Sequence, residues 1–227
     1  MDSNKFFRTP FLALKWQCTR VADDLGWRFG DRLFSWQKRR RLRVKDFTIL
    51  SNDCVAGVIY HRLGMRYTSP TVWTFIFPDD YLRLLGNLKW YLSQPLTFTN
   101  HPKHTCTVHD RFGRILSDRV YPVGVLGGDV EIHFLHCRTE EEAKARWSRR
   151  LMRINMDRLY AVLVDNDYCD VKDEIFEAFD KLPLQHKLFV SKQKRNCTYA
   201  VAVANKMHLE RSVDLVKWLN CDSDWQC

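Results

Sequence analysis

Apolar and polar positions alternate along this chain in two rhythms, one of strands and one of helices. The run Phe47-Thr48-Ile49-Leu50 is short, apolar and β-prone, and a polar turn, Ser51-Asn52-Asp53, follows it. Cys54 then opens the apolar stretch Val55-Ala56-Gly57-Val58-Ile59-Tyr60, which predicts a helix over 54–63. Gly64 stands where a left-handed residue ends such a helix. The apolar run 71–77 predicts a strand. Pro78-Asp79-Asp80 signals the start of a helix over 81–92, with Leu84, Leu85 and Leu88 on one face.

Residues 93–118 are polar, rich in His and Thr, and predict loop or irregular hairpin. Two apolar runs, 120–125 and 130–135, flank Gly127-Gly128 and predict a β-hairpin. Thr139 and Glu142 make a capping box for a helix that should bury Ala143, Trp147, Leu151 and Ile154. A buried strand at 159–164, a helix at 170–182, strands at 187–190 and 199–204, and a helix at 209–219 complete the series. Strands interleaved in this way with helices predict an α/β domain over 46–227, its sheet mixed but largely parallel and flanked by helices.

Charge adds a second region. Residues 1–45 hold twelve Lys/Arg against four Asp and so carry nearly all of the chain's formal +9; the rest is close to neutral. Phe6, Phe7, Phe11, Leu12 and Trp16 lie among those bases, and the segment closes on Lys38-Arg39-Arg40-Arg41-Leu42-Arg43. This pattern predicts a basic amphipathic appendage suited to an anionic membrane surface; packing of its aromatics on the main domain explains it equally. A neutral body argues against nucleic acid as a partner. The eight cysteines form no CxxC pair, and the start lacks the long apolar run of a signal peptide. Reduced thiols in the cytoplasm, peripheral to the inner face of the plasma membrane, are the expectation.

Candidate chemistry begins at Cys54. Backbone N–H groups and the helix dipole at a helix N-terminus favour thiolate over thiol, so this cysteine is the first choice for a nucleophile, with a buried structural cysteine as the plain alternative. A base is offered by Glu131-Ile132-His133-Phe134-Leu135-His136. Strand alternation puts Glu131 and His133 on one face and Ile132, Phe134 and His136 on the other, so the two histidines cannot face one site by strand geometry alone. Asp165, Asn166 and Asp167 leave the carboxyl end of a buried strand, where α/β proteins bind ligands, orient a His or hold a divalent ion. Turn formation is their simpler role. Arg146, Arg149, Arg150 and Arg153 share two helical turns and predict a face for phosphate or a sugar acid, unless they are simply solvated. The ligand-type residues His101, His104, Cys106 and His109 lack the spacing of a zinc site, and no metal ligand set is assigned.

Several of these motifs occur together and in order: 46–54, 60–71, Phe77-Pro78-Asp79-Asp80-Tyr81, Tyr121-Pro122-Val123-Gly124, 131–136, and the helix 147–155 with its Arg149-Arg150 pair. Over about 42–190 the chain resembles an uncharacterised bacterial family described as exopolysaccharide biosynthesis proteins of capsule and lipooligosaccharide clusters. That resemblance implies a polysaccharide or sugar-linked substrate. Cys54 before an apolar helix, a later His at a strand end and the Arg-Arg helix are also similar to putative papain-like cysteine peptidases, whose chain order of Cys, His and Asn/Asp would be met by Cys54, His133 or His136, and Asp165 or Asn166.

The expectation is therefore a surface-polysaccharide biosynthesis protein acting as a cysteine acyltransferase or hydrolase without a cofactor. Cys54 is the nucleophile, His136 or His133 the base and Asp165 the orienter, while the N–H of Cys54 and the first helical turn serve an oxyanion. Ser51, Asn52, Asp53, Asn166, Asp167, Arg149, Arg150 and Arg153 would bind substrate. Two alternatives stay open: a glycosyl- or other group-transferase with a structural Cys54, in which the arginine face grips a phosphate-bearing donor and Asp165 and Asp167 bind it directly or through a divalent metal, and a non-catalytic assembly factor.

Overall fold

The apolar run that opens the domain becomes strand β1, Thr48–Ser51, and every one of its residues is buried. In the computed structural model, residues 31–104, 121–165, 171–191, 193, 197, 199–203, 209 and 212–221 are described. Helix α1, Asp31–Arg41, precedes β1, and α2, Val55–Arg62, follows it. Next come α3, Pro78–Gly86, and α4, Leu88–Ser93, then three short strands: β2, Thr97–Phe98, β3, Val123–Leu126, and β4, Val130–His133. The chain continues through α5, Glu140–Leu151, β5, Leu159–Val164, α6, Asp173–Asp180, β6, His186–Ser191, β7, Ala200–Ala202, and α7, Leu215–Asn220.

Four strands make one sheet in the order β1-β5-β6-β7, and every pairing in it is parallel. The other three form a small antiparallel sheet, β2-β3-β4. Both faces of the parallel sheet are covered, which is why its strands read as continuous apolar runs rather than alternating ones. On one face Ile49, Val162, Val164, Leu188 and Val190 pack with Ala56 and Ile59 of α2 and with Val216 and Trp218 of α7. On the other, Leu50, Ala161, Leu163 and Phe189 pack with Leu84 of α3, Trp147 of α5, Phe179 of α6 and Ile132 of the small sheet. The expected α/β fold with helices flanking a largely parallel sheet is observed, with the parallel and antiparallel strands in two separate sheets rather than one mixed sheet.

Several elements differ from their sequence readings, each for a local reason. The stretch 71–77 is a turn rather than a strand: Trp73 takes a left-handed backbone with φ 61°, and Phe75 makes only an isolated antiparallel bridge to His133. The helix expected over 81–92 divides at Asn87, whose φ of −140° belongs to neither α3 nor α4. The last helix begins only at Leu215, because the Asp214 carboxylate caps it by accepting the N–H groups of Val216 and Lys217. In α5, Thr139 caps the helix as expected, but Glu142 reaches one residue further back, to the N–H of Arg138. Arg150 rather than Leu151 is buried beside Trp147.

Residues 1–30 of the basic segment lie outside the described residues. From 31 onward the segment docks on the domain. Arg39 donates to the carbonyl of Gly64, the C′ residue of α2 with φ 60°, at 3.0 Å, and Asn220 ties the chain through the N–H of Arg43 and the carbonyl of Arg41. Leu42 is part of the core. Among the described residues, no helix is long and apolar enough to cross a membrane.

Candidate active site

Cys54 stands at the carboxyl edge of the parallel sheet, at the N-cap of α2, and is half-buried. The turn that delivers it is tied on every side. The N–H of Ser51 donates to Thr71 Oγ1 at 3.1 Å, and the N–H of Asp53 donates to Ser51 Oγ at 3.2 Å. Asn52 extends the β1–β5 ladder with its side chain, giving Nδ2 to the carbonyl of Val164 at 3.0 Å and accepting the N–H of Val164 at 2.7 Å. Its own carbonyl accepts the N–H of Ile76. Ser51, Asn52 and Asp53, expected as substrate contacts, are all buried, and their side chains are used in building the turn. Asp53 also corrects the oxyanion expectation, because its Oδ1 accepts the N–H of Cys54. The next N–H groups of the first helical turn have no acceptor within the helix.

The thiol has an imidazole partner. His136 lies three residues beyond β4, in a turn closed by the N–H of Cys137 on the carbonyl of Phe134, and its Nε2 is 3.4 Å from Cys54 Sγ. That distance is within hydrogen-bond range for sulfur and suits proton transfer between a thiol and a base. Arg146 of α5 donates to the carbonyl of His136 at 3.2 Å and is paired with Glu142 at 2.5 Å. The ring of Trp73 meets the His136 ring nearly edge-on, with centroids 5.5 Å apart and an interplanar angle of 68°.

His133, the other candidate base, is elsewhere. Its backbone pairs with Phe75 in both directions, and its ring is fully buried among Phe75, Phe77 and Tyr121. Among the described residues neither ring nitrogen has a hydrogen-bond partner, and Glu131 Oε2 is 3.8 Å from Nε2, too far for one. Burial pushes its pKa down to about 4, with His104 and Lys103 acting in the same direction and Asp80 against them. Strand alternation extends only to His133, where β4 ends; the turn beyond it carries His136 to Cys54.

Asp165 follows β5, beside Asn52, and its carboxylate is held by other groups. Oδ1 accepts the N–H of Val171 and Oδ2 accepts the hydroxyl of Ser191, both at 3.1 Å. Asn166 and Asp167 lie outside the described residues. The arginines of α5 do not form one solvated face. Arg149 is exposed, whereas Arg150 is buried, donates to the carbonyl of Val72 and lies over the ring of Tyr67 at 5.6 Å. Burial, followed by the charges of Arg146 and Arg149, lowers its pKa to about 10. Arg153 donates to the carbonyl of Tyr67 at 3.4 Å. Arg150 and Arg153 thus clamp the loop that carries Trp73.

His101 and His104 are exposed, while Cys106 and His109 lie outside the described residues. Among the described residues, no group of three or more His, Cys, Asp or Glu is placed to hold a metal ion. Trp73 is the site residue that sequence reasoning missed. No periodicity or motif marks it, since it acts through a loop conformation that only its neighbours enforce.

Residues 28–223 match the family described as Domain of unknown function (DUF1919). A protein of Haemophilus influenzae, described as uncharacterized, is 35% identical over 150 residues, which cover 66% of this chain and 64% of that protein. The matched segment thus spans a little under two thirds of the relative's length.

Proposed function

We propose, for a chain that belongs to the DUF1919 family, a cysteine-dependent acyl transfer or hydrolysis in which Cys54 is the nucleophile and His136 the general base. The observation that carries the reading is the 3.4 Å approach of Cys54 Sγ to His136 Nε2 at the carboxyl edge of a parallel sheet. His136 takes the thiol proton as Sγ attacks an acyl carbonyl carbon. The carbonyl π electrons move to oxygen, where the N–H groups following Cys54 at the start of α2 stabilise the charge. Collapse of the adduct expels an alcohol or amine, which leaves with the proton from His136. The thioester then passes its acyl group to water or to an acceptor hydroxyl, deprotonated by the same imidazole, and the thiol is restored.

Sequence resemblance supports a setting in surface-polysaccharide assembly, with a sugar-linked acyl substrate and the basic segment at an anionic membrane surface. The group-transferase alternative relied on an arginine face for a phosphate together with Asp165 and Asp167; of that face, Arg150 is buried.

Alkylation by iodoacetamide followed by mass spectrometry tests the reading. Cys54 should label before the half-buried Cys197, with a pH midpoint below the ordinary thiol value of about 8.5, and His136→Ala should slow its labelling at pH 6.5 about tenfold. Labelling of Cys54 no faster than Cys197, and indifferent to His136→Ala, would refute it.

A further inference from the structure

Trp73 is the only non-glycine residue with a left-handed backbone among those described, with φ 61°. A residue with a Cβ is disfavoured in that region, and a bulky one more so, unless the surroundings over-determine it. Here they do. On one side Arg150 holds the carbonyl of Val72; on the other the N–H and hydroxyl of Thr74 both donate to the carbonyl of Thr71, at 3.3 and 2.8 Å. Thr71 is in turn tied to the Cys54 turn through Ser51.

The forced backbone sets the indole down on α2 at Gly57. A Cβ built on Gly57 would lie 2.6–2.9 Å from three atoms of the Trp73 ring, so only glycine admits the ring this closely. Gly57 is three residues after Cys54, on the same side of the first turn. From there the half-buried ring meets His136 at a 5.5 Å centroid separation and 68°, the edge-to-face geometry favoured by aromatic pairs. A backbone under strain, a glycine cradle and a ring contact on the base thus converge from three separate parts of the chain.

We propose that Trp73 is a positioning residue: seated on Gly57, its indole holds the His136 imidazole with Nε2 toward Cys54 Sγ. This inference rests on the Cys54–His136 reading. Thiol nucleophiles act with a base that a further group orients, usually through a hydrogen bond. In this protein the aromatic edge of Trp73 contributes to that orientation. Among the described residues, the charged groups beside the pair include Asp53 on the N–H of Cys54, Arg146 on the carbonyl of His136, and Glu142 on Arg146; none is altered in the variants below.

The rate of Cys54 alkylation against pH, measured on the full chain with the unfolding midpoint of each variant, reads the effect. Trp73→Ala should move the pH midpoint toward that of His136→Ala and slow labelling at pH 6.5 by roughly three- to tenfold, as a partly disordered base requires. Trp73→Phe, which keeps an aromatic edge, should restore most of the wild-type profile. If Trp73→Ala does not fold, Trp73→Leu takes its place: it keeps apolar bulk without an aromatic edge, and it should show the same shift. An unaltered profile in the folded Trp73 variants, when His136→Ala shifts it, overturns the positioning role alone. A wild-type profile that is ordinary and insensitive to His136→Ala overturns the dyad and, with it, this proposal.

Discussion

A buried imidazole, His133, with no hydrogen-bond partner among the described residues, ties the stability of this protein to pH. In the unfolded chain His133 binds its proton near pH 6.5, and in the folded protein only near 4, because the proton would be buried without solvent. Between those values the unfolded state binds more protons, so stability falls as pH drops from about 6.5 to about 4 and is retained above that window. The loss attributable to this group is somewhat over ~3 kcal/mol at full effect, on the order of 1.4 kcal/mol for each unit by which folding lowers its pKa. Urea denaturation at pH 7 and pH 4.5 should show this component in the wild type and not in His133→Phe; equal slopes would mean that His133 titrates alike in both states. At the residue scale, Cys54 was legible because a thiol between an apolar strand and an apolar helix has a definite electrostatic position. That the two histidines do not share one site was legible too, although a turn after His133, not strand alternation, places His136. Which of them meets Cys54 was not, because that depends on how β4 lies against β1, through Phe75 bonded to His133 and Ile76 bonded to Asn52.

At the scale of elements, α5 shows how a helix can be right and its role misread. Its start was legible in Thr139 and Glu142, but the four arginines that look alike in sequence have different fates. Arg150 is buried on the Val72 carbonyl and the Tyr67 ring, whereas Arg149 is exposed. Arg150→Met should therefore destabilise the protein by about 2 kcal/mol through the unpaired carbonyl and the freed loop, and slow Cys54 alkylation with it. Arg149→Ala should stay within about 0.5 kcal/mol of wild type and leave alkylation unchanged. Denaturation and labelling of both variants check this, and equal effects would show that the two side chains are equivalent. Helix periodicity places Trp147 inward and leaves its neighbours open; the distance to the loop at 67–74 decides that Arg150 turns in after it. The same holds for 71–77, whose apolar residues suit a strand but lack the unbroken neighbour that a strand needs.

For the whole molecule, the described part of the basic segment is continuous with the domain. Leu42 enters the core, and α1 packs against α2 and α7, so deleting residues 1–45 would remove core as well as charge. Substitution on the outer face is the cleaner test of the proposed anionic surface. Trp36 is 54% exposed and lies under the guanidinium of Arg40 at 4.7 Å. Flotation with phosphatidylglycerol vesicles should recover the full chain at low salt, and recover markedly less of Trp36→Ala/Arg40→Glu. Equal recovery of the two, or recovery indifferent to salt, would refute the surface contact.

By itself the sequence determined the class of fold, the order of its main strands and helices, and the placing of Cys54 at a strand-to-helix turn. These follow from hydrophobic period, capping residues and turn chemistry, all of which act over a few residues. Tertiary structure alone decided the partner of Cys54, the burial of Arg150, the tie of Asp165 to Val171 and Ser191, and the left-handed backbone of Trp73. Each of those depends on groups brought together from distant parts of the chain, and their energies exist only once the small sheet, the loop at 67–74 and α5 have closed around the end of β1. Cys54 was visible as a thiol at a helix start; His136, 82 positions away, meets it only in the fold.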